Sequence, residues 1–183
     1  MLLAAFAIIE RRARRPLVAP RTWKVVTLVA GTTVMLGVTA ISAGTVFLTS
    51  IFFQAVLGFS ALLAAVAFLP LTLAITAGTQ LASKLLARTS PRPIAGAGLT
   101  LAAIGAGLLS TAPGSAHYAP DLMPGLLVLA LGVGIVFVAV SETAMKGIPP
   151  QHAGMASGFL MTGPEVGAAL GVAVLSAIAD VTN

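Results

Sequence analysis

The sequence predicts an all-α protein that crosses a membrane several times, and its composition and charge pattern both support this fold class. Of its 183 residues, 58% are apolar and only 8% are charged, whereas an ordinary soluble domain is about 25% charged. Three stretches, 25–83, 93–120 and 122–141, contain no Asp, Glu, Lys or Arg. A helix needs about 20 mostly apolar residues to span a bilayer, so these stretches are long enough for several spans.

Turn-forming residues divide the apolar sequence into five predicted spans. Breaks are expected at Gly58–Ser60, Thr89–Pro93, Ala112–Ser115 and Gly147–Pro150, because Gly, Pro and Ser favour turns. The predicted spans cover about 27–55, 61–83, 94–111, 124–145 and 154–179.

The first 26 residues are predicted to form two further segments. Residues 1–9 are apolar but reach only about half of a bilayer as a helix, and no small-residue signal-peptide cleavage site follows them. We therefore interpret 1–9 as the end of a transmembrane helix and 10–26 as a basic linker. Residues 27–183 would then form the transmembrane bundle.

All ten Lys and Arg residues fall in alternate segments between the predicted spans. They lie before the first span, between the second and third, and between the fourth and fifth: Arg11, Arg12, Arg14, Arg15, Arg21 and Lys24; Lys84, Arg88 and Arg92; Lys146. Positively charged loops stay on the cytoplasmic side, so these segments are predicted to lie inside a cell membrane. An RNA- or lipid-binding patch is the alternative for the N-terminal cluster. The alternation favours a topology signal, with the lipid bilayer as partner and no nucleic acid.

Four motifs along the chain resemble one family. IERRARRPLVAPRTW from Ile9 is similar to a basic linker, and FFQAVLGFSALLAAVAFLP from Phe52 is similar to "LQxVxGxSxxxAGxxxLP". LLARTSPRPIAGAGL from Leu85 is similar to "LxDRxGxRxxxxxGL", and the segment from Gly147 is similar to "VPPxxAGxASGxxNTxRQxGGAxG". In this order and spacing they resemble the fourteen-helix drug–proton antiporters of the major facilitator superfamily.

The resemblance implies a fold and a function. The five spans would be helices nine to thirteen of such a transporter, forming an incomplete C-terminal bundle, with 1–9 as the end of helix eight. The implied function is proton-coupled efflux of multiple drugs or small molecules by alternating access, with small amphipathic or cationic substrates and protons as partners. The alternative is a non-transporting helical bundle, either a subunit that needs a chain supplying the missing helices or an inactive remnant.

The chain departs from the family pattern at chemically important positions. In the cytoplasmic loop motif Arg88 and Arg92 match, whereas the family's acid is Ala87 and its glycine is Ser90. In the last motif the arginine is replaced by Pro164 and the glutamine by Glu165. The cytoplasmic loop therefore lacks the acidic residue that a charge-gated latch would need. The last predicted span contains a carboxyl group that the family pattern does not have.

Glu165 is the predicted proton- or cation-binding residue. Helical steps of about 100° place it on the side opposite a ladder formed by Gly163, Gly167 and Gly171. Small residues allow close helix packing in lipid, so we expect the ladder to contact a neighbouring helix, with a kink at Pro164. A charge at the bilayer centre costs at least about 2.5–3.5 kcal/mol and marks function by default. The alternative for Glu165 is a structural hydrogen bond to a neighbouring helix.

The remaining polar residues suggest few other sites. Gln54 and Gln80 are candidates for substrate contact or for interfacial hydrogen bonding, and Glu142 is predicted to pair with Lys146 one helical turn later. No GxSxG, HExxH or close carboxylate pair occurs, so an enzyme is not expected. No cofactor or metal site is expected either, since the chain has no Cys and its two His residues fall in loops on opposite sides.

Overall fold

The computed structural model describes residues 26–111 and 118–181, with side chains described for 26–111 and 120–178. The predicted helix end at 1–9 and nearly all of the linker at 10–26 lie outside the described residues. Within the described ranges, five helical segments are long and apolar enough to cross a membrane. The predicted fold class, an all-α polytopic bundle, is confirmed.

Six α-helices make up these five segments. They are α1 (Val26–Ala55), α2 (Ala61–Ala67), α3 (Leu69–Leu86), α4 (Pro91–Ser110), α5 (Met123–Met145) and α6 (Ala153–Val181). A turn of π-helix at Tyr118–Leu122 precedes α5, and a turn of 3-10 helix at Pro150–His152 precedes α6.

The second predicted span is divided into α2 and α3 at Phe68. Pro70 has no N–H to donate and would crowd the carbonyl of Val66 in a continuous helix. The Phe68 N–H instead donates to Ala65 (3.2 Å), which closes α2, and the Phe68 ring packs 5.3 Å from the buried ring of Phe53 on α1. Packing on Phe53 therefore holds the break in place.

The loop after α3 is shorter than the sequence predicts. Helix α3 continues to Leu86 and α4 begins at Pro91, whereas the predicted spans end at 83 and begin at 94. Proline is favoured at the first helical position because its missing N–H would have no helical partner there. Pro91 therefore begins α4 within the segment that the sequence predicts to be a loop.

Helix α5 is the centre of the bundle. In its most apolar window 56% of the residues are buried, against at most 22% in the other spans. It packs against α1, α3 and α4, while α6 packs mainly against α1. The contacts therefore run α6–α1–α5–α3, with α4 on a further side of α5.

Glycines bring α5 into backbone contact with two neighbours. A Cβ atom on Gly134 of α5 would meet the carbonyl oxygen of Ile75 on α3, and one on Gly132 would lie 2.7 Å from the carbonyl oxygen of Gly98 on α4. Lipid tails are as apolar as apolar side chains, so the hydrophobic effect does not drive helices together inside a membrane. Helices associate there through close packing, which small residues allow. These contacts fix α3 and α4 on α5.

One end of the bundle gathers the basic residues of the described chain. Here α1, α4 and α6 begin and α3 and α5 end; we call this the basic end, and it holds Lys84, Arg88, Arg92 and Lys146. Gly31 fixes the packing just inside it, since a Cβ there would lie 2.9 Å from that of Ala144 and 3.6 Å from Leu160.

The predicted pair between Glu142 and Lys146 is wrong. In the described part of the chain these residues form no ion pair, because α5 ends at Met145 and Lys146 has extended backbone angles (φ −63°, ψ 125°). Gly147 follows with φ +81°, a conformation that glycine adopts without strain. Lys146 therefore leaves the helix surface on which Glu142 lies.

Candidate substrate and proton site

The glycine ladder of α6 lies directly against α1. Cβ atoms on Gly163, Gly167 and Gly171 would meet the backbone carbonyl oxygens of Thr32, Leu36 and Ala40, respectively. The glycines and the carbonyls both repeat every four residues, so the two helices stay in register over two turns. Helix α1 contributes a glycine in return, since a Cβ on Gly44 would lie 3.0 Å from the carbonyl oxygen of Gly171.

Glu165 lies on the other side of α6. It follows Gly163 by two residues, a rotation of about 200° in a helix, and its side chain is exposed. Gly154 and Gly158 share this side, and no atom would lie within 4 Å of a Cβ on either. We call these three residues the open face of α6, because the described helices leave it uncovered.

Glu165 also lies deep along the helix. It is twelve residues after Ala153, the first residue of α6, which corresponds to about 18 Å. The hydrocarbon core of a bilayer is about 30 Å thick. The carboxyl group is therefore far from both ends of a helix that spans such a core.

Pro164 does not interrupt α6, which runs from Ala153 to Val181. The proline cannot donate to the carbonyl of Leu160. The nearby hydroxyl of Thr162 donates to Phe159 (2.6 Å) and not to Leu160. Helix α6 thus continues past one missing backbone hydrogen bond beside Glu165, and the kink stays a prediction.

Gln80 has a position on α3 that matches that of Glu165 on α6. Two residues before it, Gly78 lies against the carbonyl of Leu131 on α5. The same rotation of about 200° puts Gln80 on the side of α3 away from α5, and it is exposed. Both helices therefore pair a glycine contact on one side with a polar side chain on the other.

Gln54 is held by its own helix. Its Nε2 donates to the carbonyl and to the hydroxyl of Ser50, both at 3.3 Å. It lies in the last turn of α1, at the end of the bundle opposite the basic end. Gln80, six residues before the end of α3, lies near the basic end, and α1 and α5 separate α3 from α6. The described helices thus do not bring Gln54, Gln80 and Glu165 into one cluster.

The predicted loop arginines differ in their surroundings. Arg88 is exposed in the turn after α3, where its backbone N–H donates to Leu85 (3.0 Å). Arg92, the second residue of α4, lines a cavity of about 450 Å³ at the basic end. The rest of that wall comes from α1, from the start of α4 and its N-cap, and from α5 and the residue after it: Thr27, Pro91, Ser90, Thr143 and Lys146.

Sequence reasoning missed this cavity. The only sequence signal for this cavity was the charge pattern, which predicts that Arg92 and Lys146 lie on the same side of the membrane. The lining by Thr27 and Thr143 depends on the packing of α1 and α4 on α5, and no local sequence pattern encodes that packing. No group of three or more metal-ligating side chains occurs in the described residues.

Comparison with known proteins identifies the family. The sequence model of the Major Facilitator Superfamily matches residues 2–172. The chain is 35% identical over 182 residues to a puromycin resistance protein of Streptomyces alboniger, covering 97% of this chain and 36% of the relative. A cephamycin export protein of Amycolatopsis lactamdurans is 32% identical over 96% of this chain and 36% of its own length.

A lincomycin resistance protein of Streptomyces lincolnensis has the same identity and coverage as the cephamycin exporter. The chain therefore spans about a third of the length of these relatives. The family match covers almost all of the described helices, and the resemblance seen in the four motifs is confirmed. The chain belongs to the major facilitator superfamily.

Proposed function

We propose that the chain is the C-terminal part of an exporter of small amphipathic or cationic compounds. Several relatives are named for resistance to, or export of, antibiotics. Their sequences align with almost the full length of this chain. Transporters of this superfamily work by alternating access, in which one bundle rocks against the other around a site near the membrane midplane. The proposed role is transport, with no chemical transformation of the substrate.

Exposed Glu165, far from both ends of α6, is the observation that carries this proposal. A carboxylate in the hydrocarbon core is costly and tends to serve ion or proton movement. A carboxyl group can bind either a proton or, through its charge, a cationic substrate. Exchange of the two on one carboxyl group is the simplest form of proton-coupled export.

The open face of α6 is the proposed contact surface for further helices. Gly154 and Gly158 would let another helix approach closely, and that helix would enclose Glu165 beside it. The relatives are about three times as long as the matched region. Helices equivalent to the rest of a relative, in the same polypeptide or in a partner chain, would complete the cavity.

The proposed orientation places the basic end in the cytoplasm of a cell, with the bundle in the cell membrane. Lys84, Arg88, Arg92 and Lys146 all lie at this end, and basic loops are retained inside. The predicted N-terminal linker would join them there.

Expression in a puromycin-sensitive bacterial host tests the proposed function. Three proteins are compared at equal amounts in the membrane: this chain, the complete Streptomyces alboniger relative, and a fusion in which the segments of that relative that precede and follow the matched region are joined to the two ends of this chain. We expect the relative and the fusion to confer resistance and the chain alone to confer none. A fusion that inserts normally but gives neither resistance nor energy-dependent ethidium efflux would contradict the transport role.

A further inference from the structure

The exposed surface of α3 divides into a polar side and an apolar side. Its exposed residues between positions 72 and 83 fall in two neighbouring rows along the helix. The polar row lies within a sector of about 80° and consists of Thr72, Thr76, Gln80 and Ser83. The apolar row consists of Leu73, Ala77 and Leu81. Only the apolar row suits lipid, because hydrocarbon offers a polar side chain no hydrogen-bond partner.

The hydroxyl groups of the polar row donate to their own helix. Thr72 donates to the carbonyl of Phe68 (3.3 Å), and Thr76 donates to that of Thr72 (2.9 Å). Ser83 donates to the carbonyl of Thr79 (2.8 Å). A hydroxyl group has one proton and two acceptor lone pairs. Since the proton is already used, each of these hydroxyls offers only an acceptor to whatever lies outside the helix.

Gln80 is the member of the polar row that has no partner. Its amide makes no hydrogen bond with another described residue, and an unpaired amide is costly in hydrocarbon. The amide oxygen adds a further acceptor between the hydroxyls of Thr76 and Ser83. The polar row therefore suits an occupant that brings hydrogen-bond donors.

The polar row differs from the surfaces through which the described helices pack closely. Helix α5 meets α3 and α4, and α6 meets α1, through glycines that bring the backbones together. The polar row contains no glycine, and the glycine of α3, Gly78, lies against α5 instead. This composition does not favour close contact with another helix.

The polar row is continuous with the aqueous phase at the basic end. Ser83 is followed by Lys84, which is exposed in the last turn of α3. From Ser83 to Thr72 is about 17 Å of helix, more than half of a bilayer core of about 30 Å. The polar row therefore leads from water at this end to the middle of the membrane, as the wall of a water-filled path would.

We propose that the polar row of α3 lines the path of the substrate and binds its N–H groups, separately from the recognition of charge at Glu165. This inference rests on the proposed transport function and adds a second determinant of the substrate class. The polar row is uncharged, so it selects by hydrogen bonding and not by charge. A cation that carries amino groups would use both Glu165 and the polar row, whereas a cation without N–H or O–H groups would use Glu165 alone.

Two permanent cations separate these modes of recognition. Ethidium carries aromatic amino groups, and tetraphenylphosphonium has no hydrogen-bond donor. The fusion described above is compared with its Thr76→Val, Gln80→Met double variant, which removes two acceptors and keeps the side chains close to their original size. We expect ethidium export to fall by about tenfold, the loss expected for a hydrogen bond to a charged group, and tetraphenylphosphonium export to stay unchanged. Leu81→Met, in the apolar row, is the matched control and should change neither.

Cysteine labelling tests the water-filled path without relying on transport. Thr76 and Ala77 lie at nearly the same depth but in different rows. A water-soluble maleimide added to permeabilised cells should label Thr76→Cys in the fusion and leave Ala77→Cys unlabelled. Equal amounts of each variant in the membrane verify insertion.

The possible failures point to different causes. An equal loss of both cations in the double variant, or no loss of either, would reject recognition of N–H groups by the polar row. Absence of labelling at Thr76→Cys, together with its cross-linking to another transmembrane helix, would assign the polar row to a helix contact. A fusion that exports neither cation before any substitution would instead contradict the proposed transport function, and this inference with it.

Discussion

Gly163 lies against the backbone carbonyl of Thr32, and Glu165, two residues later, is exposed on the far side of the same helix. The glycine contact fixes the rotation of α6 about its axis. Because the contact repeats at Gly167 and Gly171, that rotation cannot change without separating the two backbones. The ladder therefore determines where the carboxyl group points.

The first prediction concerns this contact. A Cβ on Gly167 would meet backbone atoms of Leu36, including its Cα at 3.0 Å, and backbone cannot move aside as a flexible side chain can. Gly167→Ala should therefore push α1 and α6 apart and destabilise the bundle by about 1–3 kcal/mol. Thermal unfolding of the purified chain in detergent, followed by size-exclusion chromatography, measures the change.

Gly158→Ala is the matched control, because no atom lies within 4 Å of the added methyl group. It should leave the melting temperature unchanged or raise it slightly, since Ala favours a helix over Gly by about 1 kcal/mol. Equal effects of the two substitutions would show that the α1–α6 contact is not close-packed.

The second prediction concerns orientation in the membrane. The chain has no Cys, so single cysteines can be introduced without background. Ser60 and Thr89 are both exposed in turns between helices, at opposite ends of the bundle. A membrane-impermeant thiol reagent added to intact cells should label Ser60→Cys and reach Thr89→Cys only after the cells are permeabilised. The reverse pattern would show that the basic end faces outward.

The third prediction tests the absence of the pair between Glu142 and Lys146. Since the two side chains form no ion pair, Glu142→Gln should change the free energy of unfolding by less than about 0.5 kcal/mol. Chemical denaturation of wild type and variant at low and high salt measures it. A larger, salt-sensitive loss would mean that Lys146 does reach Glu142 in the membrane.

Much of the fold could be predicted from the sequence, because the length of an apolar stretch and the positions of its flanking charges are local properties. Residues 25–83 contain no charge, and a turn signal at Gly58 divides them, so two spans could be predicted from composition alone. The break at Phe68 was missed because it depends on both Pro70 and the packing of Phe68 on Phe53. The start of α4 at Pro91 was missed because a Pro-rich segment usually indicates a loop. Proline is also favoured at the first helical position, and the sequence alone did not distinguish the two.

Less of the candidate site could be predicted from the sequence. Helical periodicity separated Glu165 from the glycine ladder, and the contacts of Gly163 and Gly167 with α1 fit that separation. Periodicity could not say which helix the ladder would meet, or that Gln80 would occupy a matching position on α3. Nor could it find Thr27 and Thr143 beside Arg92, because three helices must pack before those side chains share a cavity.

The central claim, that Glu165 acts by gaining and losing a proton, is tested most directly by transport in proteoliposomes. The fusion described above is reconstituted with Glu, Gln or Asp at position 165, and ethidium export is followed under an imposed proton gradient. Glu142→Gln serves as a control that removes a carboxyl group elsewhere. We predict that Glu165→Gln inserts normally but loses proton-driven export by about tenfold or more, the change expected when an interaction of about 1.4 kcal/mol is removed. Glu165→Asp should keep part of the activity, since the acid remains. Full proton-driven export by Glu165→Gln would contradict the claim and leave Glu165 as a residue that only hydrogen-bonds a neighbouring helix.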